Sequence, residues 1–333
     1  MSIRLSLLIT RILIVVSMTV TTFTVGAQQS EDQKLAQEVG LALAKARAGD
    51  AEAQYQVGNY YRRGIIPGMF ETPDNKEAAR WYAKSAYGGC IDGMVAHAGC
   101  LIEGYLAKNP KEAIKWYEKA AKSGNVSAYY NIGFCYDKGI GVQQNDKKAV
   151  KYYKKAAKMG SAFAANSLAI CYYTGKGVIK DYPEAYRLFK MAADSGNPAA
   201  FANVARCYMF GQGTNVNPQL GVMWYEKAAE KGYADIQFFL GQLFYQGNSA
   251  YCEGVNISID YMKAARYLNM AIENPQIPDF AKGETYRLLA SCYRFGRGVE
   301  PNQNKANELT SMAASFGDTN AKQIVQWLSN DEY

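Results

Sequence analysis

The chain has 333 residues, of which 49% are hydrophobic and 20% charged, with a formal net charge of +7. This balance excludes wholesale disorder, and the length suits two conventional domains or one elongated array. The linear sequence shows no basic run or arginine-rich stripe, so a nucleic-acid partner is not indicated.

Residues 1–27 read as a secretory signal. Arg4 and Arg11 accompany the apolar run "ILIVVSMTV", and "VGA" places small residues before Gln28. That run is short for a membrane span, although an uncleaved anchor is the alternative. No cysteine lies near the cleavage point, so lipoprotein anchoring is not indicated. Removal of the segment leaves 35 basic against 30 acidic residues spread along the chain. Nothing after residue 28 is apolar enough to cross a bilayer, so the expected product is periplasmic or secreted, with no stable membrane span.

Residues 28–49 contain "EDQKLAQEVGLALAKARAG", which reads as a lone helix capping the front of a repeat array. From residue 50 the chain is periodic. Gly124, Gly160, Gly196 and Gly232 are 36 residues apart, with Gly89 and Gly317 as outlying members. Gly139, Gly175, Gly211 and Gly247 keep the same spacing, joined by Gly64, Gly104 and Gly296. Seven units result: 50–89, 90–124, 125–160, 161–196, 197–232, 233–283 and 284–317. Residues 318–333, with Ile324, Val325, Trp327 and Leu328, read as a closing helix.

Each unit predicts two helices. In the first, apolar or small residues sit eleven, seven and six positions before the mid-unit glycine, as Ala128, Ile132 and Gly133 do before Gly139. The glycine then ends the helix in a left-handed conformation. The second helix starts at an Asp or Asn in every unit: Asp74, Asn109, Asn145, Asp181, Asn217, Asp260 and Asn302. Pro110 and Pro218 follow at the first helical position. Four residues past each cap comes a small residue, and seven past it an aromatic or leucine: Trp81, Trp116, Tyr152, Leu188, Trp224, Tyr267 and Leu309. That large column is expected to pack against the small ones.

The pattern from "AEAQYQVGNYYRRG" through "DNKEAARWYAKSAYGG", repeated from "SAYYNIGFCYDKGIGV" through "NDKKAVKYYKKAAKMG", resembles the Sel1-like repeat family, a branch of the tetratricopeptide-type helical repeats. The resemblance covers about Asp50 to Gly317. It implies an all-α fold, a right-handed α/α superhelical solenoid of about seven helix-turn-helix repeats with capping helices. It further implies scaffold function, including envelope complexes and host contact. Two units depart from the pattern: the first carries "IIPGMFETP" in its central turn, and the sixth carries "NSAYCEGVNISI", with Pro275 in place of the closing glycine. These insertions, near 65–73 and 248–259, are either recognition loops or tolerated drift.

Cys100, Cys135, Cys171, Cys207 and Cys292 each lie four residues before their mid-unit glycine. Successive copies should be separated by roughly 10 Å, beyond the reach of about 7 Å between α-carbons that a disulfide allows. They are expected to be small buried packing residues. The cysteine-rich branch of the family staples its helix pairs with a second cysteine, which these units lack, so that branch's proposed β-lactam chemistry is not implied. Cys90 and Cys252 stand off the register. His97 is the only histidine, in the column otherwise filled by Val57, Ile132, Leu168, Val204, Leu240 and Leu289. It is either a pH-sensitive feature, an altered pocket, or a partly buried histidine with a local hydrogen bond. No multi-histidine metal site, cofactor loop, G-x-S-x-G elbow, S-x-x-K pair or H-E-x-x-H stands in the chain.

Eight and five positions before the mid-unit glycine, the first helices turn a variable face away from the core stripe. The candidate partner-binding residues there are Gln56, Asn59, Asn131, Phe134, Asn203, Arg206, Phe239 and Gln242. Amides bond to a ligand's backbone and aromatics give apolar anchors. The expected function is therefore a monomeric, non-enzymatic adaptor holding a protein or peptide in a concave groove. Cell-wall glycan or peptide binding is the alternative, and a β-lactam or cell-wall hydrolase a remote one.

Overall fold

The computed structural model describes residues 33–65, 72–247 and 257–330. The signal-like segment 1–27, most of both inserted turns, and Cys252 lie outside them. All regular structure among the described residues is α-helical. After α1 (33–47) come α2 (Ala51–Arg63), α3 (Asn75–Tyr87), α4 (Ile91–Glu103), α5 (Pro110–Lys122), α6 (Val126–Lys138) and α7 (Asp146–Lys158). There follow α8 (Ala162–Thr174), α9 (Tyr182–Asp194), α10 (Pro198–Phe210), α11 (Pro218–Glu230), α12 (Ala234–Gln246) and α13 (Tyr261–Glu273). The last three are α14 (Asp279–Phe295), α15 (Gln303–Ser315) and α16 (Thr319–Asn330). The chain packs as two compact units that divide between Tyr152 and Tyr153, within α7.

Local chemistry sets the helix ends. The side-chain oxygens of all seven predicted caps accept the backbone N–H three residues on, at 2.9–3.2 Å. Each bond satisfies an amide that the first helical turn leaves orphaned. The first helices are capped likewise by Asp50, Asn125, Ser161 and Asn197. Cys90 fills the same position in the second repeat, its Sγ accepting the Gly93 N–H at 3.2 Å. That placement accounts for one of the two cysteines outside the register.

The turn between paired helices needs its two glycines for different reasons. Gly139 ends α6 at φ 69°, where an L side chain is strained. Gly141 also has positive φ, and in addition a Cβ there would collide with the carbonyl oxygen of Pro110 at the start of α5. Gly213 meets Tyr182 in the same way in the second unit. The second glycine is thus a packing contact between successive repeats as well as a turn residue.

In each unit the core is a layer of alanines and large side chains between helices. In the first, Ala78, Ala113, Tyr82 and Tyr117 are buried; in the second, Ala185, Ala264, Phe189 and Leu268 are. Burying each large side chain is worth roughly 2–3 kcal/mol. The large column expected from sequence is buried in four repeats, at Trp81, Leu188, Tyr267 and Leu309, and a second column one residue later is buried in all seven. This second column, eight past the cap, is Tyr82, Tyr117, Tyr153, Phe189, Tyr225, Leu268 and Thr310. In the column seven past it, Trp116, Tyr152 and Trp224 are only half-buried. Gly58 and Gly241 show why small residues oppose the large ones: an added Cβ would come within 2.5 Å of the Tyr82 ring and 2.7 Å of the Leu268 side chain.

The sixth repeat departs from the others. Asn274 stands where other repeats approach their closing glycine, donating its side-chain amide to the Gly232 carbonyl at 2.8 Å and to Gln237 at 3.0 Å. After Pro275 and Pro278, α14 runs 17 residues against 13 in α12 and α13.

Candidate functional site

The first helices of the first unit frame a groove of about 470 Å³. It takes side chains from α2, α4 and α6, floored by Tyr82 of α3 and Tyr117 of α5. In the first three repeats the columns eight and five before the glycine hold Gln56, Asn59, Ala96, Gly99, Asn131 and Phe134. All of them except Gln56, which is exposed, line this groove. The three-residue helical spacing brings them to one face of each helix, and Ala96 and Gly99 leave room between the larger walls.

The polar groups of the groove divide into held and free. The Tyr82 hydroxyl donates to Asn59 Oδ1 at 2.8 Å, so Asn59 orients the floor. Asp92 accepts from the Asn125 side-chain amide at 3.0 Å. The half-buried Asn131 side chain has no hydrogen-bond partner among the described residues. One helical turn on, Phe134 is 37% exposed, with the Tyr130 ring at 6.5 Å. Arg62, Glu103 and Tyr105 complete the rim. Free amide and apolar ring suit an extended chain, with backbone polar groups for the one and a side chain for the other.

Two groups at the groove are held in their neutral form by burial. Burial pushes the Tyr82 hydroxyl up to about 12 and the Cys100 thiol up to about 11. A reactive cysteine requires the opposite shift. Cys135, Cys207 and Cys292 are raised to about 11 for the same reason, and the described cysteines are buried and form no disulfide among the described residues. Among the described residues no group of His, Cys, Asp or Glu is arranged to hold a metal ion. Nor is any described helix long and apolar enough to cross a membrane.

In the second unit the candidate residues are mostly committed to the protein itself. Asn203 donates to Asn166 Oδ1 at 3.0 Å and to the Ala199 carbonyl at 3.3 Å. Phe239 is half-buried with its ring 5.0 Å from Tyr225. Gln242 is 8% exposed, on a helix that packs against both α13 and α14, so its expectation as a surface contact is corrected. Only Arg206 stands exposed, its guanidinium 4.8 Å over the Tyr173 ring.

Two further expectations change. His97 is buried in its core column, but its Nδ1 has no hydrogen-bond partner, contrary to the expected local bond. Its neighbours are the rings of Tyr87 at 6.1 Å and Trp116 at 5.5 Å. Burial lowers its pKa, opposed by the carboxylate of Glu112. The second correction concerns charge. The linear sequence shows no basic stripe, yet folding assembles one on the second helices, from residues two, six and ten past the caps: Lys76, Arg80 and Lys84 on α3, and Lys111, Lys115 and Lys119 on α5. Alignment on the caps would have revealed it.

Comparison with known proteins agrees with this architecture. The family model described as "Sel1 repeat" matches residues 51–90, 92–125, 126–161, 162–197, 198–233, 234–275 and 284–318. The chain is similar to the crystal structure of a Sel1 repeat protein from Oxalobacter formigenes, at 26% identity and a TM-score of 0.62, covering 89% of this chain and 81% of that one. It is also similar to c5321, a protective antigen present in uropathogenic Escherichia coli strains, at 26% identity and a TM-score of 0.55, covering 86% of this chain and 66% of that one. The search of curated proteins gave no match.

Proposed function

The chain belongs to the Sel1 repeat family, and from that premise we propose that it is an exported, non-enzymatic scaffold that holds a protein partner in the groove of its first unit. The observation that carries this reading is the pairing of an unbonded Asn131 amide with the exposed Phe134 ring inside that groove. A partner's backbone bonds to the amide while one of its apolar side chains covers the ring, as at an interface centre. The raised thiol and phenol values support a binding rather than a catalytic role. Export rests on residues 1–27 alone; with it, the reading has the protein act in the periplasm or medium, as a monomer.

The test compares the chain with its Phe134→Ala/Asn131→Ala variant in pull-downs from intact envelopes. The scaffold reading expects discrete proteins to be retained by the first and lost by the second. Equal retention by both excludes the groove. Retention on purified cell-wall sacculi, with no protein enriched, favours the glycan alternative. N-terminal sequencing of the cell-fractionated protein checks export: a start at Gln28 outside the cytoplasm is expected.

A further inference from the structure

We propose that the second-helix face of the first unit is a docking surface for an acidic polypeptide segment, seated across the cleft lined by Tyr87 and Trp116. This face is formed by the second helices, apart from the groove of the first helices, and the inference does not rest on that groove's function.

The register of the cations carries the inference. Positions two, six and ten past the cap lie on the side of the helix opposite the buried positions four and eight. In the first three repeats all nine are basic and exposed: Lys76, Arg80, Lys84, then Lys111, Lys115, Lys119, then Lys147, Lys151, Lys155. The same positions in the next four repeats read Pro183, Arg187, Met191, then Gln219, Met223, Lys227, then Met262, Arg266, Met270, then Asn304, Glu308, Met312. The repeat fold therefore does not require cations there, and a general need for solubility would not confine them to one end.

Little within the protein neutralises them. Arg80 pairs with Glu77 at 2.6 Å. Lys76, Lys111, Lys115, Lys147 and Lys151 have no ion-pair partner among the described residues. Along the cation row of α5 a cleft of about 450 Å³ opens, lined by Tyr87, Asn109, Glu112 and Trp116 and by Lys111, Lys115 and Lys119. Tyr87 is 69% exposed and meets Trp116 edge-on at 5.1 Å.

Spacing and shape select the occupant. Residues four apart on a helix rise about 6 Å, close to the roughly 6.6 Å between alternate side chains of an extended peptide. Carboxylates at every second residue would thus follow Lys111, Lys115 and Lys119, with an apolar side chain entering beside Tyr87. Glu112, whose carboxylate accepts the Asn109 amide at 2.8 Å, leaves an acidic spot in the cleft that suits a peptide of mixed character better than a uniform polyanion. Lys119 lies 5.1 Å over the Trp116 ring, and Tyr87 and His97 pack against that ring. Stacking a nucleic-acid base or a sugar on it would displace them.

The test uses a fluorescent twelve-residue peptide of alternating Glu and Ser with one central Phe, and a twin with Gln for Glu. Both are titrated into the full chain by anisotropy at low and moderate salt. The Glu peptide is expected to bind, more weakly as salt rises, and the Gln twin not to bind. Lys111→Glu/Lys115→Glu should weaken binding by about tenfold or more, while Lys227→Glu and Phe134→Ala leave it unchanged. Circular dichroism melting of the double variant checks that the fold persists, as expected for exposed positions. No binding of the Glu peptide overturns the proposal, as does equal binding of the twin. Equal weakening by Lys227→Glu reduces the effect to net charge and also overturns it. Duplex DNA or phosphatidylglycerol vesicles that bind through Lys111 and Lys115 when the peptide does not would reassign the face to that ligand.

Discussion

The two compact units share one helix-pair plan but differ in how many of their surface cations are paired. In the second, Lys190 pairs with Asp194, Lys263 with Glu226, and Arg287 with both Glu284 and Asp318, at 2.6–3.2 Å. In the first, the cations of α5 face solvent without carboxylate partners. The inner columns diverge in parallel: Asn131 is free in the first unit, whereas Asn203 is bonded internally in the second. Buried positions repeat because every helix pair must close on its neighbour. Outward positions carry no such demand, so a difference between units there is not imposed by the fold.

The shared plan is broken most severely at the turns. Gly141→Ala introduces both a strained backbone and a collision with the Pro110 carbonyl, and should cost roughly 3 kcal/mol. Gly139→Ala, whose Cβ would have ordinary contacts at 3.5 Å, should cost only about 1–2 kcal/mol. Gly213→Ala should match Gly141→Ala if the two units follow one plan. Urea titrations followed by circular dichroism read all three, and equal costs for Gly139 and Gly141 would rule out an energetic role for the inter-repeat contact.

Caps come next. Asn109→Ala in the first unit and Asn217→Ala in the second should each cost about 1 kcal/mol. Unequal values would show that the units do not use their caps alike.

His97 sharpens the comparison, because only the first unit should respond to its titration. Burial lowers its pKa below the ordinary value of 6.5. Below that value the unfolded chain takes up a proton that the folded chain refuses. Stability therefore falls as pH drops through about 6.5, until the folded histidine itself protonates. His97→Leu, which restores the residue type of its column, should flatten this acid-side slope in melts at graded pH. An unchanged slope would assign it to other groups.

The smallest effect concerns the cations. Lys263→Ala should cost about 0.5 kcal/mol or less through its lost pair with Glu226, and Lys111→Ala about nothing. A stability loss at Lys111 would reveal an internal role for the basic face.

Much of this structure was legible in the sequence, for physical reasons that also explain the remainder. Caps and helix-ending glycines are local: an Asx oxygen reaches its own helix's amides, and a positive φ belongs to one residue. The collision that forbids a side chain at Gly141 involves Pro110, far back in the chain, and no local pattern contains it. The columns seven and eight past the cap both hold large residues, so half-buried Trp116 and buried Tyr117 are separable only once a neighbouring helix is in place. Asn131 and Asn203 are equivalent in the columns, yet Asn166 and the Ala199 carbonyl hold the second while the first stays free. Gln242 is buried where an irregular repeat lengthens α14. The basic face needed only alignment on the caps.

The central claim is that a partner lies along the first unit's groove. Its most direct test is site-specific photo-crosslinking in cells, with the reactive side chain placed in turn at Phe134, at Arg206 and within the 248–259 insertion. A discrete adduct is expected from Phe134, and it should disappear when Asn131 is replaced by Ala. An adduct from the insertion with none from Phe134 would contradict the claim.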